Sequence, residues 1–499
     1  MSGERGLAET MKANGVALAA GVFGDPCTSL LGALSQAGVH VEISVEEKSA
    51  MAQALGASVA GKRALAVFKQ VGVNVACDPL INAAIHGTGA GVLVLMGDDP
   101  GAAKSTNEQD SRWFAKLSEL PVLTPHSADH LARSAVEGLE LSETLGVPVL
   151  LQLTERLTQA QDAVGTYTVS TQGTFDRDRP WGRFILDRHR YLLETLYPKL
   201  QDHVEVSPLH RVQRGRGEQG VVSCGGVSAE VRSQNHFALG YAYPLPEQRL
   251  VKFLGGLKRV LVVEEVAPLV EGALQALVGA HGLEVQILGR LSGHLPRVGP
   301  LEARHVDGAF SRSPQGWNFE LEIKPNEALM ALPCGGFEPL YQALDELLPE
   351  EQRVAGDVGC SILQGYFPPQ LVDTAYALGT SVATASGLSL NGHKGVALIG
   401  DTGFVHSGIT GLLNAVEHGH NVLVVVLNNG IPGMTPGHVG IPGLAKINDL
   451  VRACGVDTLD THDLNTAPDA ALKALLAQRL QRAGVNVVVV KATPKPMGG

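Results

Sequence analysis

Residues 400–429 read GDTGFVHSGITGLLNAVEHGHNVLVVVLNN. The stretch begins where an apolar run, residues 396–399, ends in Gly400 and Asp401. It crosses a segment of helical character and closes a second apolar run with Asn428 and Asn429. Buried strand, helix and buried strand make the unit of a parallel α/β sheet, whose ligands sit at the carboxyl ends of the strands. There the Asp401 carboxylate and the Asn429 amide oxygen converge on a hard cation, which takes oxygen ligands in octahedral array. Two protein oxygens leave positions open for a diphosphate, so the pattern points to Mg²⁺ carrying a phosphorylated cofactor. The bland alternative is a crossover ending in a polar turn. The fit of both ends and of the interval between them weighs against it.

Working outward, a chain of 499 residues suggests roughly three domains of ~150 residues each. An apolar fraction of 44% with 18% charged residues suits a globular enzyme with a sizeable core. The net charge of −11, with no stripe of Lys and Arg, argues against a nucleic-acid partner. Residues 1–15 lack the apolar core of a signal peptide, and no apolar run approaches membrane-spanning length. A cytoplasmic protein with no membrane partner is expected. The six cysteines, Cys27, Cys77, Cys224, Cys334, Cys360 and Cys454, form no CxxC pair. They give no local signature for zinc or an iron–sulfur cluster.

Three α/β-patterned parts are expected, at residues 1–165, 190–325 and 335–499. In the first, strand-like runs at 64–68, 91–96 and 147–153 alternate with helix-like stretches such as 47–60. Residues 170–190 are polar and aperiodic and read as a linker. The middle part has runs at 220–224 and 259–264, a second break covers 310–332, and the last part ends in the run 487–490. Alternating strands and helices imply parallel sheets throughout.

The spacing of the opening motif resembles the diphosphate motif of thiamine diphosphate enzymes. In those, the Asp, the second Asn and a carbonyl two residues later hold the metal, which here fall on Asp401, Asn429 and Ile431. Such a site needs a second half, a carboxyl group bonded to the pyrimidine ring at a helix start rich in small residues. Residues 41–79, VEISVEEKSAMAQALGASVAGKRALAVFKQVGVNVACDP, supply Glu46 and Glu47 before such a helix. Adjacent acids there also favour the helix dipole. Paired with the diphosphate motif, Glu47 is read as the activating acid, with Glu46 one register away.

The chain as a whole resembles the α subunits of indolepyruvate:ferredoxin oxidoreductases, which belong to the thiamine diphosphate-dependent 2-oxoacid oxidoreductases. The resemblance rests on EKSAMAQALGASVAGKRAL (47–65), FKQVGVNVACDPL (68–80), GDDPGAAKSTNEQDSRWFAKL (97–117), YPLPEQRLVKFL (243–254), VLVVEE (260–265), LPRVGPL (295–301), GDVGC (356–360) and GDTGFVHSGITGLLNAVEHG (400–419). It implies three parallel-sheet α/β domains: pyrimidine-binding, transketolase-C-terminal-like, and diphosphate-binding. It further implies a homodimer and a small-molecule 2-oxoacid substrate. Carried over by position, Glu47 is the activating acid and Asp401, Asn429 and the Ile431 carbonyl bind Mg²⁺. Gly359, Cys360, Gly379, Thr380, Gly400 and Thr402 line the diphosphate and thiazolium, and Leu378 props the bent cofactor. His406 and His438 are candidates for proton transfer near neutral pH. Asp25, Thr28, Lys69, Gln70 and Asn74 are candidates for meeting the substrate.

Two departures from the family pattern shape the expected chemistry. The family's α subunit continues into a ferredoxin-like domain with clustered cysteines, whereas residues 491–499 read KATPKPMGG and no cysteine cluster precedes them. No iron–sulfur cluster is expected in this chain. The loop GDPCTSLL (24–31) is closer to that of non-oxidative sulfopyruvate and phosphonopyruvate decarboxylases than to a GTPSS-like loop, and the Asp25 carboxylate would repel a substrate carboxylate. The expectation is therefore decarboxylation of a 2-oxoacid with release of an aldehyde or transfer of an acyl-anion equivalent to an acceptor. One alternative is the catalytic subunit of an oxidoreductase whose clusters lie on a separate partner. Another is a non-catalytic assembly subunit.

Overall fold

The computed structural model describes residues 1–314, 333–366, 368–433 and 442–496. The chain divides into two compact units, Met1–Glu322 and Ile323–Gly499.

In chain order, the strands of the first unit begin with β1 (Leu18–Gly21), β2 (Val41–Ile43), β3 (Ala64–Lys69), β4 (Val92–Asp98), β5 (Val122–Leu123) and β6 (Val149–Thr154). They continue with β7 (Arg211–Gln213), β8 (Gln219–Cys224), β9 (His236–Leu239), β10 (Tyr241–Tyr243), β11 (Arg259–Val263) and β12 (Gln286–Leu288). They build a seven-stranded sheet of order β10-β5-β6-β4-β3-β1-β2 and a five-stranded sheet of order β12-β11-β8-β9-β7. β4 and β6 are buried at every residue, which is why they read as nearly continuous apolar runs rather than as alternation.

The expectation of parallel sheets throughout needs correcting at two strands. β10 runs antiparallel to β5, and β7 antiparallel to β9. Both are short edge strands, and an antiparallel neighbour needs no long crossover helix. Only Gly240 separates β9 from β10, so the chain leaves one sheet and enters the other within a residue. Tyr241 anchors the transfer, fully buried with its hydroxyl donating to Glu137 Oε1 at 2.8 Å.

Arg112 ties the two sheets of this unit together. Its fully buried guanidinium donates to Asp110 at 2.6 Å and to the Glu265 and Ala267 carbonyls at 2.9 Å, and stands 3.0 Å from Glu264 Oε2. Replacing Arg112 with Met leaves Asp110 and Glu264 buried without their cation, which typically costs about 3–5 kcal/mol. Chemical denaturation should show that loss as one shifted transition of the first unit.

The second unit carries β13 (Val354–Ala355), β14 (Gly395–Gly400), β15 (Val422–Asn428), β16 (Thr458–Asp463) and β17 (Val485–Lys491). They form one wholly parallel sheet of order β13-β14-β15-β17-β16. Gly400 pairs in register with Leu427, so Asp401 and Asn429 leave the same edge of neighbouring strands. The connecting helix is not uniform. Asp401–Gly403 and Ile409–Glu417 are α-helical, but Phe404–Gly408 between them is π-helical, a distortion frequent at functional sites. Among the described residues, no helix is long and apolar enough to cross a membrane.

Candidate active site

In the second unit the site grows from the carboxyl ends of β14 and β15. Asp401 is 2% exposed. Its Oδ2 accepts the Gly430 N–H at 2.8 Å, and its Oδ1 accepts the Thr402 N–H at 2.6 Å and the Thr402 hydroxyl at 3.3 Å. Burial pushes this carboxyl up to about 6. Asn429 folds over its own turn, its Oδ1 accepting the Ile431 N–H at 3.3 Å. The 429–431 turn is thus tied to Asp401 through the Gly430 N–H. Beside them, Gly359, Gly400 and Gly430 have no atom within 4 Å of where a Cβ would stand. Open space flanked by a carboxylate and an amide oxygen suits a metal–diphosphate group.

The sequence reading missed Asp357, which organises the floor of this cradle. The residue is fully buried, and its two oxygens accept the Gly379 N–H at 2.7 Å and the Ser381 N–H at 3.0 Å. Burial pushes its carboxyl up to about 6, against the opposing pull of those two N–H groups. It thereby pins the Gly379 turn, which has φ +86°, to the GDVGC loop. The signal was present in the sequence, since Asp357 lies inside GDVGC, but only the flanking residues were read. Asp357→Ala leaves two buried N–H groups unpaired at about 1–3 kcal/mol each. A lower melting temperature of the second unit, with weaker cofactor binding, is the expected outcome in a thermal-shift titration.

The other assigned residues fall unequally. Leu378 is half-buried, and its carbonyl accepts the Ser407 hydroxyl at 2.8 Å. His406 lies in the π-helical turn, 8% exposed, with Nδ1 3.0 Å from Ser407 Oγ. The Thr380 hydroxyl is engaged within its own turn, donating to the Ala377 carbonyl at 2.8 Å. Cys360 is joined in a disulfide to Cys334, a pairing that no motif in the sequence announces. His438 lies outside the described residues.

In the first unit the structure distinguishes the two adjacent acids. Glu46 is the N-cap of the helix Glu47–Val59, accepting the Lys48 N–H at 2.8 Å and the Ser49 N–H at 2.7 Å. Glu47 is 7% exposed and packs where a Cβ on Gly72 would stand 2.5 Å from its Oε1. A side chain at position 72 would displace that carboxyl group from where it stands.

The candidate substrate residues meet one polar loop. Lys69 Nζ donates to the Lys104 carbonyl at 2.9 Å, Gln70 to the Asn107 carbonyl at 3.3 Å, and Asn74 to Gln109 Oε1 at 3.0 Å. The Gln70 Oε1 is buried with no hydrogen-bond partner. Thr28 is 5% exposed and turned inward, its hydroxyl accepting the Gly24 N–H at 2.8 Å. Asp25 stands 3.6 Å from Lys104 Nζ, which also reaches Glu155 Oε1 at 2.9 Å. The Lys104 ammonium group is thus shared between two carboxylates. Asp25, Lys104, Glu155 and Arg156 line a cavity of about 160 Å³ at the carboxyl ends of β4 and β6. Into it also face Thr154, whose buried hydroxyl has no partner, and Asp98, which burial and neighbouring Asp110 push up to about 7.

Comparison with known proteins shows the family of the chain. Residues 357–490 match the family described as thiamine pyrophosphate enzyme, C-terminal TPP binding domain. The chain is 32% identical to the indolepyruvate oxidoreductase subunit IorA of Methanothermobacter thermautotrophicus, across 96% of this chain and 84% of that one. It is 30% identical to the subunit of the same name from Archaeoglobus fulgidus, across 95% of this chain and 81% of that one. Likeness of this extent means that the chain belongs to the indolepyruvate oxidoreductase IorA family of thiamine pyrophosphate enzymes.

Proposed function

We propose that this chain is the catalytic subunit of a 2-oxoacid oxidoreductase that works with a separate electron-accepting partner. The observation that carries the reading is the kinship to IorA subunits over nearly the whole chain. It favours oxidation over the aldehyde release or acceptor transfer that the missing cysteine cluster and the altered Gly24 loop first suggested. Retention of Glu47, Asp401 and Asn429 speaks against a purely structural subunit.

In this reading Asp401, Asn429 and the Ile431 carbonyl hold Mg²⁺, while Gly359, Cys360, Leu378, Gly379, Gly400 and Thr402 line the cofactor. Thiamine diphosphate, when bound, supplies the carbon nucleophile and electron sink that 2-oxoacid decarboxylation requires. Glu47 exchanges the proton that activates the cofactor, in a buried pocket that Gly72 keeps open. His406 is the proposed proton-transfer group. We further propose a homodimer in the cytoplasm, as the family resemblance implies.

The test compares the chain alone with the chain purified together with its co-expressed partner subunits. With the partner present, reduction of a viologen dye that requires both CoA and a 2-oxoacid is expected, together with visible iron–sulfur absorption. Release of CO₂ and an aldehyde or acyloin, with no dye reduction under either condition, overturns the oxidative assignment in favour of the non-oxidative one. A panel of aryl, aliphatic and dicarboxylic 2-oxoacids then identifies the substrate, since the cavity beside Asp25 is polar rather than aromatic.

A further inference from the structure

We propose that Cys334 and Cys360 form a redox couple that controls the grip of the 429–433 turn on the metal. The proposal rests on the reading that Asp401, Asn429 and Ile431 hold Mg²⁺.

The two cysteines come from separate segments. Cys334 precedes the helix Glu338–Leu347, and Cys360 ends GDVGC and opens the 3₁₀ turn Cys360–Gly365. They are joined as a disulfide with a Cα–Cα distance of 5.2 Å across 26 residues of sequence. Both are buried, at 2% and 9% exposure.

A third segment leans on the pair. A Cβ placed on Gly433 would stand 2.5 Å from Cys360 Sγ, 3.1 Å from Cys334 Sγ and 3.3 Å from Asn429 Nδ2. Asn429 Nδ2 also approaches the carbonyl of Pro333, the residue before Cys334, at 3.5 Å. The backbone that orients the Asn429 amide is therefore packed directly on the disulfide. Position 433 carries no side chain that could yield.

Reduction adds two electrons and two protons to the S–S bond and leaves two thiols. A dithiol such as dithiothreitol supplies both and closes to its own cyclic disulfide, by exchange through a mixed disulfide. Once unbonded, the two sulfurs retreat to van der Waals separation. With the turn already in contact, Gly433 moves, and it carries the Asn429 amide and the Ile431 carbonyl with it. Groups one layer behind a metal ligand typically change metal affinity by about 10–100-fold. The disulfide form is thus the tight-binding one and the dithiol form the loose one. Among the described residues the other four cysteines are free thiols, with Cys27, Cys224 and Cys454 buried and Cys77 half-buried. None of them belongs to this contact.

The experiment uses the full-length protein, stripped of cofactor, in two states. One state is reduced with dithiothreitol and desalted under argon; the other is reoxidised with glutathione disulfide, which takes up the two electrons and two protons as two molecules of glutathione. Alkylation followed by mass spectrometry of the peptides reads the state of Cys334 and Cys360. Calorimetry with thiamine diphosphate and Mg²⁺ reads affinity. The expected result is two additional alkylated cysteines and affinity weaker by about 10–100-fold after reduction, restored on reoxidation. Cys334→Ser should show the weak affinity in both states, and the wild-type comparison stands even if that variant folds poorly. Equal affinity in the two states, or a pair that never interconverts, overturns the switch and leaves the proposed function intact. No binding of thiamine diphosphate in either state overturns the proposed function, and the switch with it.

Discussion

Asp401→Ala is expected to abolish Mg²⁺-dependent retention of thiamine diphosphate. The carboxylate is 2% exposed and is the only acidic group among the proposed ligands Asp401, Asn429 and Ile431. In the proposed site it would supply the protein's negative charge to the cation. It also holds the turn that presents the other two ligands, through the Gly430 N–H at 2.8 Å. Both functions vanish together, so the loss should exceed the about 10–100-fold typical of a residue one layer further out. Calorimetry of the purified variant makes the measurement, with the wild type as reference. Unchanged cofactor affinity would remove Asp401 from the metal site and leave the geometry around β14 and β15 without its proposed purpose.

Glu47→Gln should give the opposite signature, with binding kept and turnover nearly lost. The amide is close in shape to the carboxyl group and suits the same pocket over Gly72, but it cannot exchange the activating proton. A positioned acid–base group is typically worth ~10²–10⁴-fold in rate, and that is the expected fall in kcat. The neighbouring Glu46→Gln provides the control. Glu46 caps the helix Glu47–Val59 with two backbone N–H bonds, so its loss should lower stability, by about 0.5–2 kcal/mol for a cap, and leave turnover nearly unchanged. Steady-state kinetics of the two variants decide between them. An inactive Glu46→Gln beside an active Glu47→Gln would move the catalytic acid by one residue. Two active variants would refute catalysis through this helix.

The parts of the site that were legible in the sequence share a physical cause. β14 and β15 are buried on both faces, so they read as continuous apolar runs, and the polar residues that end them are conspicuous. The helix Glu47–Val59 was legible from its small residues, though not which of its two leading acids caps it. That choice depends on where the first backbone N–H groups point. What stayed hidden depends on segments far apart in sequence. The pairing of Lys69, Gln70 and Asn74 with Lys104, Asn107 and Gln109 joins a helix start to a loop that shows no periodicity. The Cys334–Cys360 contact has no local spacing to announce it. β10 is three residues long and finds its partner β5 far upstream. The π-helical turn at Phe404–Gly408 likewise leaves no mark on a helical pattern.

The short strand β10 also bears on how the first unit is made in the cell. β5 would be a bare sheet edge if residues 1–165 were released alone, with N–H and C=O groups open to other chains. That edge is covered only after Tyr241–Tyr243 has been synthesised. During translation the nascent first sheet therefore waits, incomplete, through the linker and most of the following sheet. Such delayed, long-range pairing is slow and exposes sticky surface. Fragments cut within the linker should aggregate, whereas fragments reaching past the second sheet should remain dispersed.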